Sequence, residues 1–160
     1  MSKLNFPCSR DELRNLKAGD KVEISGVLYM ARDAAHGKMA EDYAKTGGFP
    51  FDIKDQGIYY AGPAPAKPGE VIGPAGPTTS MRMDSYTPWL LDSGLALTVG
   101  KGDRSSEVVD SIIRNSAVYL AATGGTAALI SKSIKKQEII AYEELGAEAL
   151  RKIYIEDFPA

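Results

Sequence analysis

Residues 21–48, KVEISGVLYMARDAAHGKMAEDYAKTGG, decide the fold of this chain. Val22, Ile24, Val27 and Tyr29 predict a strand over residues 21–30, with a turn or bulge at Ser25-Gly26. Asp33 then stands where a helix N-cap belongs, ahead of Ala35, Met39 and Tyr43 at four-residue spacing, and Gly47-Gly48 ends the helix. A strand, a charged turn and a helix in direct succession are the repeating unit of layered α/β structure.

The same alternation continues outward. Upstream, Ser9-Arg10-Asp11-Glu12 reads as a capping box for a short helix that opens the chain and stops near Gly19. Downstream, residues 58–61 read as a short strand, and residues 62–69 as a proline-rich connection rather than a linker between domains. Residues 95–99 predict a strand and residues 100–103 a turn. Ser105 then caps a helix with Val108, Val109, Ile112 and Ile113 on one face. Residues 117–122 read as a buried strand, and Gly124-Gly125-Thr126 opens a small-residue helix through Ile130. Strand, helix and strand follow at residues 138–141, 143–150 and 152–156. The expectation is one α/β domain over residues 1–160 with a partly parallel sheet.

Composition narrows the function. A chain of 160 residues, 44% hydrophobic and 25% charged, buries roughly 70% of its unfolded surface and needs no covalent staple. The formal net charge of −2 gives no general attraction to nucleic acid. No apolar run approaches the ~20 residues that span a bilayer, and residues 1–11 lack the apolar core of a signal peptide, so no membrane partner is expected and the cytoplasm is the expected location. The one cysteine, Cys8, excludes an internal disulfide and cannot supply a thiolate-rich metal site; no metal ligands are expected here, and any iron–sulfur cluster would reside on a partner.

The chemistry concentrates in residues 73–84, GPAGPTTSMRMD. Prolines fix φ and glycines permit close backbone approach. Thr78, Thr79 or Ser80 can then cap a helix whose free N–H groups face an anion, and Arg82 adds a planar fork for carboxylate or phosphate. Helix capping alone would explain one of the threonines, but not the rigid run before them. Three further polar turns follow predicted strands, at residues 32–36, 100–102 and 123–126, where ligands of open α/β sheets gather. For Arg32 and Lys101 the competing reading is a surface ion pair or a helix-end contact. His36 is a secondary candidate, since a lone histidine one turn into a helix is more often a structural hydrogen-bonder than a base. Trp89, Leu90 and Leu91 read as core or partner interface. A phosphate loop fails at residues 94–102: five residues separate Gly94 from Gly100, and Gly102 stands where Ser or Thr is needed.

Five blocks in order, YMARDAAHGKM, IGPAGPTTSMRMDSY, VGKGD, YLAATGGTAAL and IYIEDFPA, resemble the β subunit of class I fumarate hydratases and the related L(+)-tartrate dehydratases. The resemblance implies a swivelling β/β/α domain with a mixed sheet, working with an α subunit that carries a 4Fe-4S cluster in a hetero-oligomer such as a dimer of heterodimers. It implies that Arg32 and Arg82 bind substrate carboxylates, that Lys101 and Thr79 add substrate contacts, and that Thr78 sits at the reacting carbons and takes part in proton transfer. The implied activity is reversible hydration of fumarate to L-malate. The alternatives are tartrate dehydration and, in another class, a non-catalytic carboxylate-binding module. Two departures stand out: Met81 replaces the usual small residue before Arg82, and the chain stops at Ala160 where relatives generally continue.

Overall fold

A computed structural model of the chain describes residues 1–122 and 127–160. A strand, not a helix, comes first: β1 (Ser2–Phe6) turns only Leu4 and Phe6 inward, an alternation too short to stand out in sequence. The capping box then forms as expected. Ser9 Oγ accepts the Glu12 N–H, the Glu12 carboxylate accepts the Ser9 N–H, and α1 (Arg10–Arg14) follows. This helix ends at Asn15 rather than near Gly19, with Leu13 its only buried residue.

β2 (Val22–Met30) and α2 (Asp33–Thr46) are the predicted strand and helix. The irregularity expected at Ser25-Gly26 is a register shift between Ile24 and Gly26 against the final strand. Gly47, at φ 71°, closes α2 in the left-handed conformation. The residue at the α2 N-cap is Arg32, without a side-chain cap; Asp33 is the first helical residue, and its carboxylate faces two arginines instead. β3 (Gly57–Tyr59), α3 (Thr87–Asp92), β4 (Leu97–Gly100), α4 (Ser106–Arg114), β5 (Val118–Ala121), α5 (Ala127–Ser133), β6 (Ile134–Ala141) and β7 (Leu150–Pro159) complete the order.

Four local expectations change. Residues 78–80 do not cap an α-helix: Thr79 precedes a single 3-10 turn, Ser80–Met83, and no side chain caps it. The helix expected over 143–150 is a 3-10 segment, Glu143–Glu148, broken at Gly146 (φ 61°, ψ −117°). On α4 Val108 is buried, whereas Val109 and Ile113 are 44% and 72% exposed, so the apolar face is wider than the buried one. β5 has only Leu120 buried, because it is the edge of the sheet. The Gly124-Gly125-Thr126 opening lies outside the described residues.

The seven strands form one mixed sheet in the order β5-β4-β3-β2-β7-β6, with β1 paired to the first half of β2. β1, β2, β3, β4 and β5 are parallel to their neighbours in that group; β7 is antiparallel to both β2 and β6. Both faces are covered. Along β2, Leu28 and Met30 join one apolar cluster with Phe6, Leu97 and Phe158, while Tyr29 and Ala31 join another with Ala35, Leu90 and Leu91. The parallel strands β2, β3 and β4 therefore direct their carboxyl ends, and the turns that follow, to one rim of the sheet. Among the described residues no helix is long and apolar enough to cross a membrane.

Candidate active site

The 73–82 loop reaches this rim by hydrogen bonding rather than by following a strand. Tyr60, just past β3, accepts the Thr78 N–H (2.7 Å). The Thr78 carbonyl accepts the Lys101 N–H (3.3 Å), and the Lys101 carbonyl accepts the Ser80 N–H (2.9 Å). Thr79 and Lys101 thus form a parallel bridge that prolongs the sheet beyond β4. Gly100 makes the approach possible: a Cβ there would overlap Ser80 Oγ and stand 2.8 Å from the Tyr60 ring.

The result is a cleft of about 330 Å3 lined by Arg32, Gly76, Pro77, Thr78, Thr79, Arg82 and Lys101. Every substrate-contact residue expected from sequence lies on it. Arg32 arrives from the end of β2, and Gly62 leaves room for it, since a Cβ there would lie 3.0 Å from Arg32 Cδ. The ion-pair reading holds for Arg32 and not for Lys101, while Arg82 is ion-paired as well. Arg82 donates from Nε to Asp33 Oδ2 (2.9 Å), and Arg32 Nε lies 3.3 Å from Glu148 and 3.6 Å from Asp33. Lys101 is exposed and has no carboxylate partner among the described residues. Thr78 is 9% exposed and donates its hydroxyl to no described residue. The wall carries three cations against two carboxylates outside the lining, Asp33 and Glu148, so a net positive charge suited to an anion remains.

His36 is not on the cleft. It is fully buried, and its Nδ1 and backbone N–H both donate to the Arg32 carbonyl, at 2.8 and 3.0 Å. Burial lowers its pKa to about 4, so the ring is neutral with the proton on Nδ1. Its role is to hold the turn that carries Arg32.

A second group behind the cleft escaped sequence reading. Arg104, its side chain 2% exposed, donates from Nε to Asp84 Oδ1 (2.8 Å), from Nη1 to Thr98 and Tyr60, and from Nη2 to Thr87 and Tyr60. Its guanidinium carbon lies 5.2 and 5.0 Å from the Tyr60 and Tyr119 ring centres. Tyr119 donates to the Gly102 carbonyl (2.7 Å), so Ser80 Oγ supplies the proton in their 2.9 Å contact. Asp84 lies two residues after Arg82, and Arg104 three after Lys101, so this buried pair ties the two cationic turns together.

A family model described as the fumarase C-terminus matches residues 2–160. The chain belongs to the fumarase C-terminus family. It is 41% identical over 161 residues to the aerobic class I fumarate hydratase of Salmonella typhimurium, covering 98% of this chain and 28% of that protein. To fumarate hydratase 2 of Leishmania major it is 42% identical over 153 residues, 94% of this chain and 27% of the relative. The putative L(+)-tartrate dehydratase subunit beta of Methanocaldococcus jannaschii is 36% identical over 155 residues, 94% of this chain and 80% of that subunit. The fumarase C-terminus chain thus spans less than a third of the fumarate hydratases it matches, and most of the β subunit.

Proposed function

We propose that this chain is the β part of a hydro-lyase that interconverts fumarate and L-malate, acting with an α partner that carries the 4Fe-4S cluster. The convergence of Arg32, Thr78, Thr79, Arg82 and Lys101 on one cleft is the observation that carries this reading. The family match supports the same activity. A cluster does not fit the residues of this chain itself. Its single cysteine, Cys8, is half-buried, and burial together with Glu12 pushes its thiol up to about 11, away from the thiolate that iron requires. No step is therefore assigned to iron here.

The chain's own residues bind, orient and hold a proton. A four-carbon dicarboxylate carries a negative charge at each end, and adding or removing water across its central bond builds carbanion character beside one carboxylate. Arg32 and Arg82, ion-paired to Asp33 and Glu148, and the exposed Lys101 meet those charges and stabilise the charge that develops. Thr78 is held through its backbone between Tyr60 and Lys101, on the wall of the cleft. A threonine hydroxyl is a poor base, so Oγ passes a proton on rather than retaining it, and the complementary acid–base group belongs to the partner.

Tartrate dehydration is the second reading, supported by the 36% identity to a putative L(+)-tartrate dehydratase subunit beta. Anaerobic assay of the assembled complex with both substrates separates the two. Arg82→Ala tests the clamp common to both: loss of a charge-assisted contact, about 1.5–3 kcal/mol, lowers kcat/KM by about 10- to 150-fold. Near-normal kinetics would remove Arg82 from the site.

A further inference from the structure

Asp33 stands between the two arginines of the cleft. Its Oδ2 accepts from Arg82 Nε at 2.9 Å and lies 2.9 Å from Arg82 Nη2 as an ion pair, and its Oδ1 lies 3.6 Å from Nε of Arg32. Glu148 completes the arrangement: Oε1 accepts the Ala34 N–H at 3.2 Å and lies 3.3 Å from the same Arg32 Nε. Glu148 is itself anchored, because Arg151 donates to the carbonyls of Gly146 and Ala147 beside it, each at 2.9 Å.

A guanidinium has five N–H donors in one plane, so the edge it spends decides the edge it offers. Arg82 spends its Nε hydrogen on Asp33, and its terminal Nη groups donate to no described residue. Arg32 donates to no described residue. Its Nε is buried beside the two carboxylates, and Arg32 Nε and Asp33 Oδ1 are a donor and an acceptor without other described partners.

We propose that Asp33 is a positioning residue of the clamp: with Glu148 it holds the Nε sides of Arg32 and Arg82, so that both arginines offer their terminal Nη groups to a dicarboxylate. The proposal rests on the function proposed above. Asp33 also repels an incoming carboxylate, but at 36% exposure that repulsion is screened, whereas without Asp33 the half-exposed Arg82 must be ordered by substrate alone.

The test uses the assembled holoenzyme carrying Asp33→Asn. The expected result is a KM for fumarate raised at least about tenfold with kcat reduced less than about threefold, while the unfolding midpoint and the assembly state match wild type. A KM that is unchanged or lowered overturns the proposal, because Asp33 would then be only a competing counter-ion. Should Asp33→Asn fail to assemble, Glu148→Gln is judged by the same direction of KM. If the wild-type complex turns over neither fumarate nor tartrate, the proposed function fails. Calorimetric titration of the isolated chain with malate then decides the positioning role: weaker binding by Asp33→Asn supports it, and equal or tighter binding overturns it.

Discussion

At the level of single residues, Thr78 and His36 illustrate two different uses of a polar side chain. Thr78 is fixed by its backbone and leaves its hydroxyl uncommitted among the described residues, which suits a group that passes a proton. Thr78→Val keeps the shape and removes the proton; the complex is expected to assemble with its cluster intact, visible by absorbance, while turnover falls by about a hundredfold or more. Loss of assembly instead would make Thr78 structural. His36 is buried neutral, with a folded-state pKa near 4 against an ordinary 6.5. The unfolded chain therefore binds the extra proton first as pH falls. Stability is fully present above about pH 6.5 and declines towards pH 4, by up to about 3 kcal/mol from this residue. Urea unfolding across that range should show a shallower decline for His36→Asn than for wild type; equal slopes would contradict the assignment.

Among the elements, the turns after β3 and β4 are locked by Arg104 and Asp84 rather than by a helix N-terminus. Removing one member of a buried pair leaves the other charge without its partner. Arg104→Ala is expected to lower unfolding stability by about 3–5 kcal/mol. Tyr119→Phe, which removes only the link from Ser80 to Gly102, should cost about 1 kcal/mol. A measured cost below about 1 kcal/mol for Arg104→Ala would show that the turns are held by something else. Much of this architecture was legible: the strand and helix over residues 21–48, the Ser9 and Ser105 caps, and the family blocks are written in local sequence. Arg104 was not, because a charged residue reads as exposed until its partners are assembled from elsewhere in the chain. β5 reads as buried for the complementary reason: its residues are apolar enough for the interior, but among the described residues no strand pairs with its outer edge. The 78–80 segment carries good capping residues, yet its backbone donors go to Tyr60 and Lys101, so a sheet extension forms where capping chemistry suggested an α-helix.

For the molecule as a whole, the proposed function divides the labour between a cationic clamp on this chain and an α partner that brings the metal and the second acid–base group. The cleft has three cations and a threonine hydroxyl, with Asp33 and Glu148 paired to its two arginines. The most direct measurement is the anaerobic rate of fumarate consumption by this chain alone, by the cluster-loaded α partner alone, and by the two combined. L-malate is expected to form only in the mixture. Tight dicarboxylate binding by the isolated chain, with no turnover when the partner is added, would contradict it.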